Sequence, residues 1–324
     1  MLHPELARRF GTRGKQKCID DNTFHLHYLA EAIASGSPRM FIDYVGWAKI
    51  MLASRGIDQE DLQENLATME RVLAERAPRS EKQLVTSYLR EATSALPALP
   101  ETVPPLIDPQ HPFAEVANAY LASLLTLDRN GAIEHVMQQL EAGMSIQQLF
   151  NHVITPVQRE VGRLWQQNQI TVVQEHFCTA ATEMLLARLR RKHTGVFRSV
   201  YAMAICAEGE EHCLGLKMFS DLLESDGWNV YYVGTKPPVA EVLKHLTNNK
   251  TDLVALSVAT ALNLGSMRTL VAGIKSLPPE RTPRILVGGM ALATDSQLWQ
   301  KMGADAFAAS VVEGLEQANR LVRR

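Results

Sequence analysis

The stretch SVYAMAICAEGEEHCLG, Ser199–Gly215, decides the fold of the C-terminal part of the chain. Its apolar beginning predicts a buried strand over Ser199–Ile205, and Leu214–Leu223 has the apolar spacing of a helix. His212 therefore falls on the turn after a strand, where open α/β sheets place their ligands. Glu210 is placed to hold one imidazole nitrogen and leave the other for a metal. A turn histidine is more often a solvated polar residue, so this stretch alone leaves both interpretations open.

Alternation of strands and helices continues behind this turn. Further strands are predicted at Asn229–Val233, Asp252–Val258, Arg284–Val287 and Ala306–Ala308. Such alternation implies a parallel sheet with right-handed crossover connections. We therefore expect a Rossmann-like, flavodoxin-like domain over residues 196–324.

Two later features lie at defined distances from the histidine turn. Gly215 is followed by 41 residues and then Ser257 in the predicted third strand, and the fourth strand ends at Gly288 and Gly289. The pattern resembles the cobalamin-binding domain of methionine synthase, corrinoid proteins and cobalamin mutases, which carries Asp-x-His-x-x-Gly, then Ser-x-Leu, then Gly-Gly. This chain departs from the family twice, because Glu210 replaces the aspartate and Ser-Val-Ala replaces Ser-x-Leu.

The resemblance implies a role for each of these residues. His212 is implied to be the lower axial ligand of cobalt, with Glu210 behind it. The remaining residues are implied to line the slot for the displaced dimethylbenzimidazole, since glycine removes side chains at strand ends. The slot residues are Gly215, Ser257, Gly288 and Gly289. The alternative is an ordinary doubly wound sheet that binds no cofactor.

A second pattern lies upstream, where Trp165 is followed by nine residues and then Glu175 and His176. Trp165 ends an apolar stripe, so the alternative explanation is a core residue followed by the start of a new helix. Together the residues resemble the Trp-x9-Glu-His signature of cobalamin-dependent light receptors of the CarH type. The resemblance implies that Trp165 packs on an adenosyl group in a helical cap, and that Glu175 and His176 contact this group or the corrin edge. Gln166 stands where these receptors often have a histidine.

Six prolines between Leu96 and Phe113 mark the clearest boundary in the chain. Such a segment is extended and stiff. We therefore predict an N-terminal all-helical domain over 1–96, a Pro-rich linker over 97–112, a four-helix bundle that caps the cofactor over 113–195, and the Rossmann-like domain over 196–324.

Capping signals predict where individual helices begin and end. Gly36 is expected to close a helix over Thr23–Ala34, and Asn130-Gly131 is expected to separate two helices of the bundle. Ser80 with Gln83, and Ser145 with Gln148, have the spacing of capping boxes.

Composition excludes several function classes. The formal net charge of the 324 residues is -2, which gives no electrostatic case for binding nucleic acid. No run of eighteen apolar residues and no signal peptide are present, so no membrane association is expected. The four cysteines lack the spacing of a metal site and are expected to be reduced thiols of a cytoplasmic protein.

The N-terminal helical domain suggests a second chromophore. The order of the three domains resembles photocobilins, light receptors that bind cobalamin and biliverdin. Phe24–Tyr28, Tyr44 and Trp47 are candidates for an aromatic pocket with polar ends. The alternative is that these aromatic residues form helix-packing core while the histidines lie on the surface.

These patterns together predict a sensor and not an enzyme. We expect adenosylcobalamin, and with it biliverdin, as cofactors of a homo-oligomer whose assembly depends on light. No helix-turn-helix is evident, so a separate output protein is expected to read the signal. The alternative function is a corrinoid protein that carries methylcobalamin for a methyltransferase system.

Overall fold

The computed structural model describes residues 4–189, 197–235, 237–295 and 297–322. The chain forms two compact units: Met1–Lys49 with Ile57–Leu99, and Ile50–Gly56 with Pro100–Arg324. The linker predicted over 97–112 thus holds residues of both units, and the predicted boundary between 195 and 196 lies outside the described residues. None of the helices in the described ranges is long and apolar enough to cross a membrane.

The first unit is built from amphipathic helices. Its helices are α1 (Pro4–Ser35), α2 (Pro38–Ala53) as far as Lys49, α3 (Gln59–Arg76) and α4 (Arg79–Ala95), and a short 3-10 turn follows at Leu96–Ala98. The end of α2 belongs to the second unit. The buried side chains of its core include Leu29, Ala32, Phe41, Val45, Leu66, Leu89, Ala92 and Leu96. Lys49 is also buried, and its ammonium donates hydrogen bonds to the carbonyl oxygens of Leu96 and Leu99.

Two of the predicted helix boundaries in this unit are wrong. The helix predicted to start at Thr23 begins at Pro4 and has a non-helical Gly11 inside it, with φ +62°. Ser80 does not cap α4, because Pro78 already provides the extended residue before the first helical position, Arg79. The predicted end at Gly36 is confirmed: its φ is positive, and Ser37 N–H donates to the Ala32 carbonyl as in a Schellman cap.

The second unit begins with four helical segments that form a bundle. The first, second and fourth segments are α5 (Ala114–Leu125), α6 (Arg129–Glu141) and α9 (Val172–Leu189). The third is continuous and consists of α7 (Ile146–Leu149), a π-helical turn (Phe150–Ile154) and α8 (Thr155–Gln166). The capping box of Ser145 and Gln148 is confirmed. The predicted break at Asn130-Gly131 is wrong, because the Asp128 carboxylate accepts from the Gly131 N–H and thereby starts α6 two residues earlier.

The Pro-rich segment is hydrogen-bonded to α8. The Leu106 N–H donates to Glu160 Oε2 over 2.9 Å, and Arg163 Nη1 and Gln167 Nε2 both donate to the Val103 carbonyl, over 3.2 and 3.0 Å. Arg163 also forms a buried ion pair with Glu160, with 2.6 Å between Nη2 and Oε1. This part of the segment is therefore fixed along the bundle.

The rest of the second unit is a five-stranded parallel sheet with helices on its faces. The strands are β1 (Tyr201–Cys206), β2 (Asn229–Gly234), β3 (Leu253–Ser257), β4 (Arg284–Gly288) and β5 (Ala306–Ala308). The helices are α10 (Leu214–Ser225), α11 (Val239–Asn248), α12 (Leu264–Lys275), α13 (Met290–Ala293), α14 (Leu298–Lys301) and α15 (Val311–Leu321). The order β2-β1-β3-β4-β5 confirms the flavodoxin-like prediction and puts the switch in strand order between β1 and β3.

Candidate functional site

The loop from β1 to α10 is organised around one buried carboxylate. Glu210 has no exposed surface, although the loop that carries it lies at the edge of the sheet. Its Oε1 accepts from the backbone N–H groups of Glu211 and His212, over 3.0 and 2.9 Å, and contacts His212 Nδ1 at 2.5 Å. The carboxylate therefore fixes both the backbone and the ring of His212.

The second oxygen of Glu210 binds the loop that follows β3. Oε2 accepts from the N–H groups of Ala259 and Thr260, over 2.8 and 3.0 Å, and from Asn263 Nδ2 over 3.2 Å. One side chain thus joins the loops on both sides of the switch in strand order. The glutamate that replaces the family's aspartate is long enough to bridge the two loops.

Electrostatics favour a charged Glu210 and a defined orientation of the His212 ring. Burial alone would raise the pKa of Glu210, but hydrogen bonds from His212 and from backbone N–H groups hold this pKa well below its usual range. The hydrogen bond to Glu210 raises the pKa of His212 against the effect of burial, and the charge of Glu175 adds to the increase. Nδ1 is directed at Glu210, and the His212 side chain that carries the other nitrogen, Nε2, is 68% exposed. Within the described part of the chain Nε2 makes no hydrogen bond, so it is available to a ligand.

The candidate slot residues lie at the ends of neighbouring strands. Ser257 is the last residue of β3 and pairs with Cys206 of β1 on one side and Gly288 of β4 on the other. A Cβ atom on Gly288 would lie 3.2 Å from the Ala308 carbonyl oxygen, which is a tight contact. The structure therefore brings Ser257 and Gly288 together at the carboxyl edge of the sheet.

The remaining two glycines differ in what they require. Gly289 has φ +107°, and a Cβ atom there would lie 2.0 Å from the Val258 carbonyl oxygen, so the fold itself excludes a side chain. A Cβ atom on Gly215 would meet nothing within 4 Å, although Gly215 lies in the first turn of α10. Packing within the protein therefore does not explain Gly215, and open space lies beside it.

The start of α9 carries a carboxylate and an imidazole that contact each other. Glu175 and His176 lie in the first turns of α9, with 2.5 Å between Glu175 Oε2 and His176 Nδ1. The Thr179 hydroxyl donates to Glu175 Oε1 over 3.3 Å. Helix α9 contacts α10, which follows the β1–α10 loop, and the charge of Glu175 adds to the raised pKa of His212.

Trp165 lies near the end of α8, half-buried against the apolar core of the bundle. Its ring centroid is 5.3 Å from the guanidinium carbon of Arg55. No sequence pattern predicts this contact, because the two residues are 110 positions apart and the stretch around Arg55 carries no motif. The partners of Glu210 after β3 were also missed, because backbone N–H donors carry no residue signature.

Two cysteines near His212 also come together. Interaction with the Cys206 thiol lowers the pKa of Cys213, against the effect of burial. Cys206 ends β1 and Cys213 precedes the first residue of α10. The spacing of the cysteines in the sequence does not indicate this pair, and only the fold shows that the two thiols are neighbours.

The aromatic residues proposed in the first unit form a cluster with polar members. His25 Nδ1 lies 2.7 Å from the Tyr44 hydroxyl, and the rings of Tyr28 and Tyr44 stack with centroids 3.7 Å apart. Trp47 stacks beside Tyr44, whereas Phe24 is half exposed. Burial lowers the pKa of His25 to about 4, so this imidazole is neutral at pH 7. The alternative of a surface histidine is thus wrong for His25.

Comparisons with known proteins agree with this geometry. Two family models, each described as a B12 binding domain, match residues 116–190 and 201–317, together more than half of the chain. Dimethylamine corrinoid protein 3 of Methanosarcina acetivorans is 26% identical over 116 residues, 36% of this chain and 53% of that protein. The HTH-type transcriptional repressor CarH of Myxococcus xanthus is 24% identical over 191 residues, 58% of this chain and 61% of that protein.

One solved structure gives the same fold. The monomethylamine corrinoid protein of Methanosarcina barkeri superposes with a TM-score of 0.56 at 17% identity, over 65% of this chain and 100% of that chain. The chain spans about half the length of the dimethylamine corrinoid proteins that it matches. The helical bundle and the parallel-sheet domain of this chain, residues 116–190 and 201–317, are therefore B12-binding domains, and the cofactor of this family is a cobalamin.

Proposed function

We propose that the protein is a light-sensing receptor that binds adenosylcobalamin with His212 as the lower axial ligand of cobalt. The observation that carries the proposal is that α9 of the bundle, which carries Glu175 and His176, contacts α10, which follows the His212 loop. The residues proposed for the two sides of the cofactor therefore lie on neighbouring elements. Similarity to the repressor CarH over 191 residues supports the sensor function.

The ligand loop fits a cobalamin. His212 Nε2 offers cobalt an imidazole nitrogen, and Glu210 holds the opposite nitrogen, which orients the ring and increases its basicity. The open space at Gly215 suits a nucleotide tail that passes the first turn of α10. Ser257, Gly288 and Gly289 are proposed to line the far part of the same slot.

The helical cap supplies selectivity for the upper ligand. Trp165 offers an aromatic face for an adenine ring, and Glu175 and His176 offer polar contacts at the start of α9. Bound adenosylcobalamin would supply a light-sensitive cobalt–carbon bond, and Trp165 would pack on the adenosyl group only while that bond is intact. The most stable position of α8 would then differ between the dark and the illuminated protein. Such a switch requires that the dark and the illuminated protein bind partner chains with different affinities. We therefore propose a homo-oligomer whose assembly depends on light, and a separate output protein.

The experiment compares the loaded protein in the dark and after green light. We expect the cobalamin spectrum and the hydrodynamic size both to change on illumination, and the Trp165→Ala variant to lose adenosylcobalamin affinity more than methylcobalamin affinity. If both cobalamins weaken equally, Trp165 is only a core residue of the bundle. An unchanged size and an unchanged CD spectrum after complete photolysis would refute the sensor role.

The alternative is a corrinoid protein that carries a methyl group. The relatives named as dimethylamine corrinoid proteins favour it, because they are similar to this chain over 116 residues. Methylcobalamin-loaded protein would then pass its methyl group to a thiol acceptor in the presence of a partner methyltransferase. Efficient turnover in this assay would replace the sensor proposal.

We also propose that the first unit binds biliverdin without a covalent bond. The stacked rings of Tyr28, Tyr44 and Trp47 supply aromatic surface, and His25 and the Tyr44 hydroxyl supply polar groups. Titration with biliverdin is expected to give a red-shifted, sharpened absorbance band that weakens in a Trp47→Ala variant. Absorbance identical to that of free biliverdin would refute this part of the proposal.

A further inference from the structure

The guanidinium of Arg55 is bound to the end of α8, the helix that carries Trp165. Arg55 Nη1 donates to the carbonyl oxygen of Gln166 over 3.0 Å, and Nη2 donates to that of Trp165 over 3.2 Å. The same guanidinium lies over the Trp165 ring, 5.3 Å from its centroid. Arg55 belongs to the second unit, as does Trp165. One side chain therefore contacts both the backbone and the ring of Trp165.

Neighbouring groups hold Arg55 itself in place. Its Nη1 also donates to the carbonyl oxygen of Met51 and to the Ser54 hydroxyl, each over 2.9 Å. The Ser54 hydroxyl lies within hydrogen-bond distance of the carbonyl oxygens of Met51 and Gln166, at 2.8 and 3.1 Å. Asn168 Nδ2 donates to the Ser54 carbonyl over 3.3 Å. The contact is thus a small network and not a single surface hydrogen bond.

Physical chemistry explains why this arrangement fixes Trp165. The last carbonyl groups of a helix have no partner within the helix, and a cation at that end also interacts favourably with the helix dipole. A guanidinium over an indole face adds a cation–π contact that constrains the plane of the ring. The planar fork of arginine can make both contacts at once, which the point charge of lysine cannot.

We propose that Arg55 is a positioning residue for Trp165 and that it sets how strongly the protein prefers adenosylcobalamin over methylcobalamin. The inference rests on the proposed function, because it gives Trp165 the adenosyl group as its packing partner. Arg55 acts through Trp165 and does not contact the cofactor. A ring that is free to rotate loses the fixed face against which adenine packs, whereas binding through His212 is unaffected.

The test measures dissociation constants for both cobalamins, in the dark, with full-length protein. The variants are Arg55→Met, which keeps the length of the side chain, and Arg55→Lys, which keeps the charge. Arg159→Met is the matched control, since Arg159 is an exposed arginine on α8. We expect Arg55→Met to reduce the preference for adenosylcobalamin by about three- to tenfold, Arg55→Lys to restore it in part, and Arg159→Met to leave it unchanged.

A double-mutant cycle separates this inference from the proposed function. Arg55→Met is expected to change nothing further in a Trp165→Ala background, because the residue through which it acts is already gone. If Trp165→Ala lowers the preference and Arg55→Met does not, Arg55 is not a positioning residue. Equal weakening of both cobalamins by Arg55→Met would show that Arg55 only stabilises the bundle. If Trp165→Ala itself leaves the preference unchanged, the proposed role of Trp165 fails first.

Discussion

Replacement of Glu210 by glutamine tests whether one buried carboxylate organises the ligand loop. Glu210→Gln keeps the shape of the side chain but replaces one accepting oxygen with an amide NH2 group that only donates. Whichever oxygen is replaced, two backbone N–H groups lose their acceptor: those of Glu211 and His212 on one side, or those of Ala259 and Thr260 on the other.

The magnitude follows from these lost contacts. A buried donor left without an acceptor costs about 1 to 3 kcal/mol, and hydrogen bonds to a charged group are the stronger kind. Two such donors give an expected loss of about 2 to 6 kcal/mol in the free energy of unfolding. Loss of the carboxylate behind a metal-binding histidine is also expected to weaken cobalamin binding by about 10- to 100-fold.

Urea unfolding of the cofactor-free protein measures the first effect, and spectroscopic titration with cobalamin measures the second. Glu208→Gln is the control, because it makes the same chemical change two residues away on an exposed side chain. An unfolding free energy of Glu210→Gln within about 0.5 kcal/mol of the parent would refute the reasoning, since surface substitutions stay within that range.

Three further outcomes are expected. His212→Ala should remove the nitrogen splitting from the paramagnetic resonance spectrum of the cobalt(II) form, and its persistence would exclude His212 as the ligand. Gly289→Ala should destabilise the fold by about 2 to 4 kcal/mol because of its positive φ and the blocked Cβ position, whereas Gly215→Ala should leave thermal unfolding nearly unchanged and weaken cobalamin binding. Burial would raise the pKa of Glu160, but the ion pair and hydrogen bonds of this carboxylate lower the pKa below the usual 4.5. The carboxylate therefore contributes to stability above pH 4.5, and this contribution is lost as the pH falls through the lowered pKa. Acid titration of Glu160→Gln should therefore show a flatter loss of stability below pH 4.5, and a slope equal to that of the parent would contradict this.

The sheet domain could be predicted from sequence because each strand has its own apolar signal. The predicted strand Ala306–Ala308 has the observed bounds, and the start of β4 at Arg284 is also the predicted one. Buried parallel strands are short apolar runs between polar turns, so the pattern is local. Ser145 and Gln148 were predictable for the same reason, since a capping box needs only four residues.

Features that depend on competition between neighbouring signals were harder to predict. Ser80 has the capping spacing, but Pro78 precedes it and already supplies the extended backbone at which α4 begins. Asn130-Gly131 is typical of a turn, yet the Asp128 side chain accepts from the Gly131 N–H and so caps the start of α6. The contact between Arg55 and Trp165 depends on tertiary packing alone, which no local pattern encodes.

The segment Ile50–Gly56 limits where recombination can divide this gene. It clusters with Pro100–Arg324, although the residues on both sides of it belong to the other unit. Recombination at the Pro-rich segment would transfer the bundle and the sheet domain to another gene without Ser54 and Arg55. These two residues contact the end of α8. The recipient gene would need an arginine at an equivalent place to keep Trp165 in position. The two units should consequently be exchanged between genes as a single block.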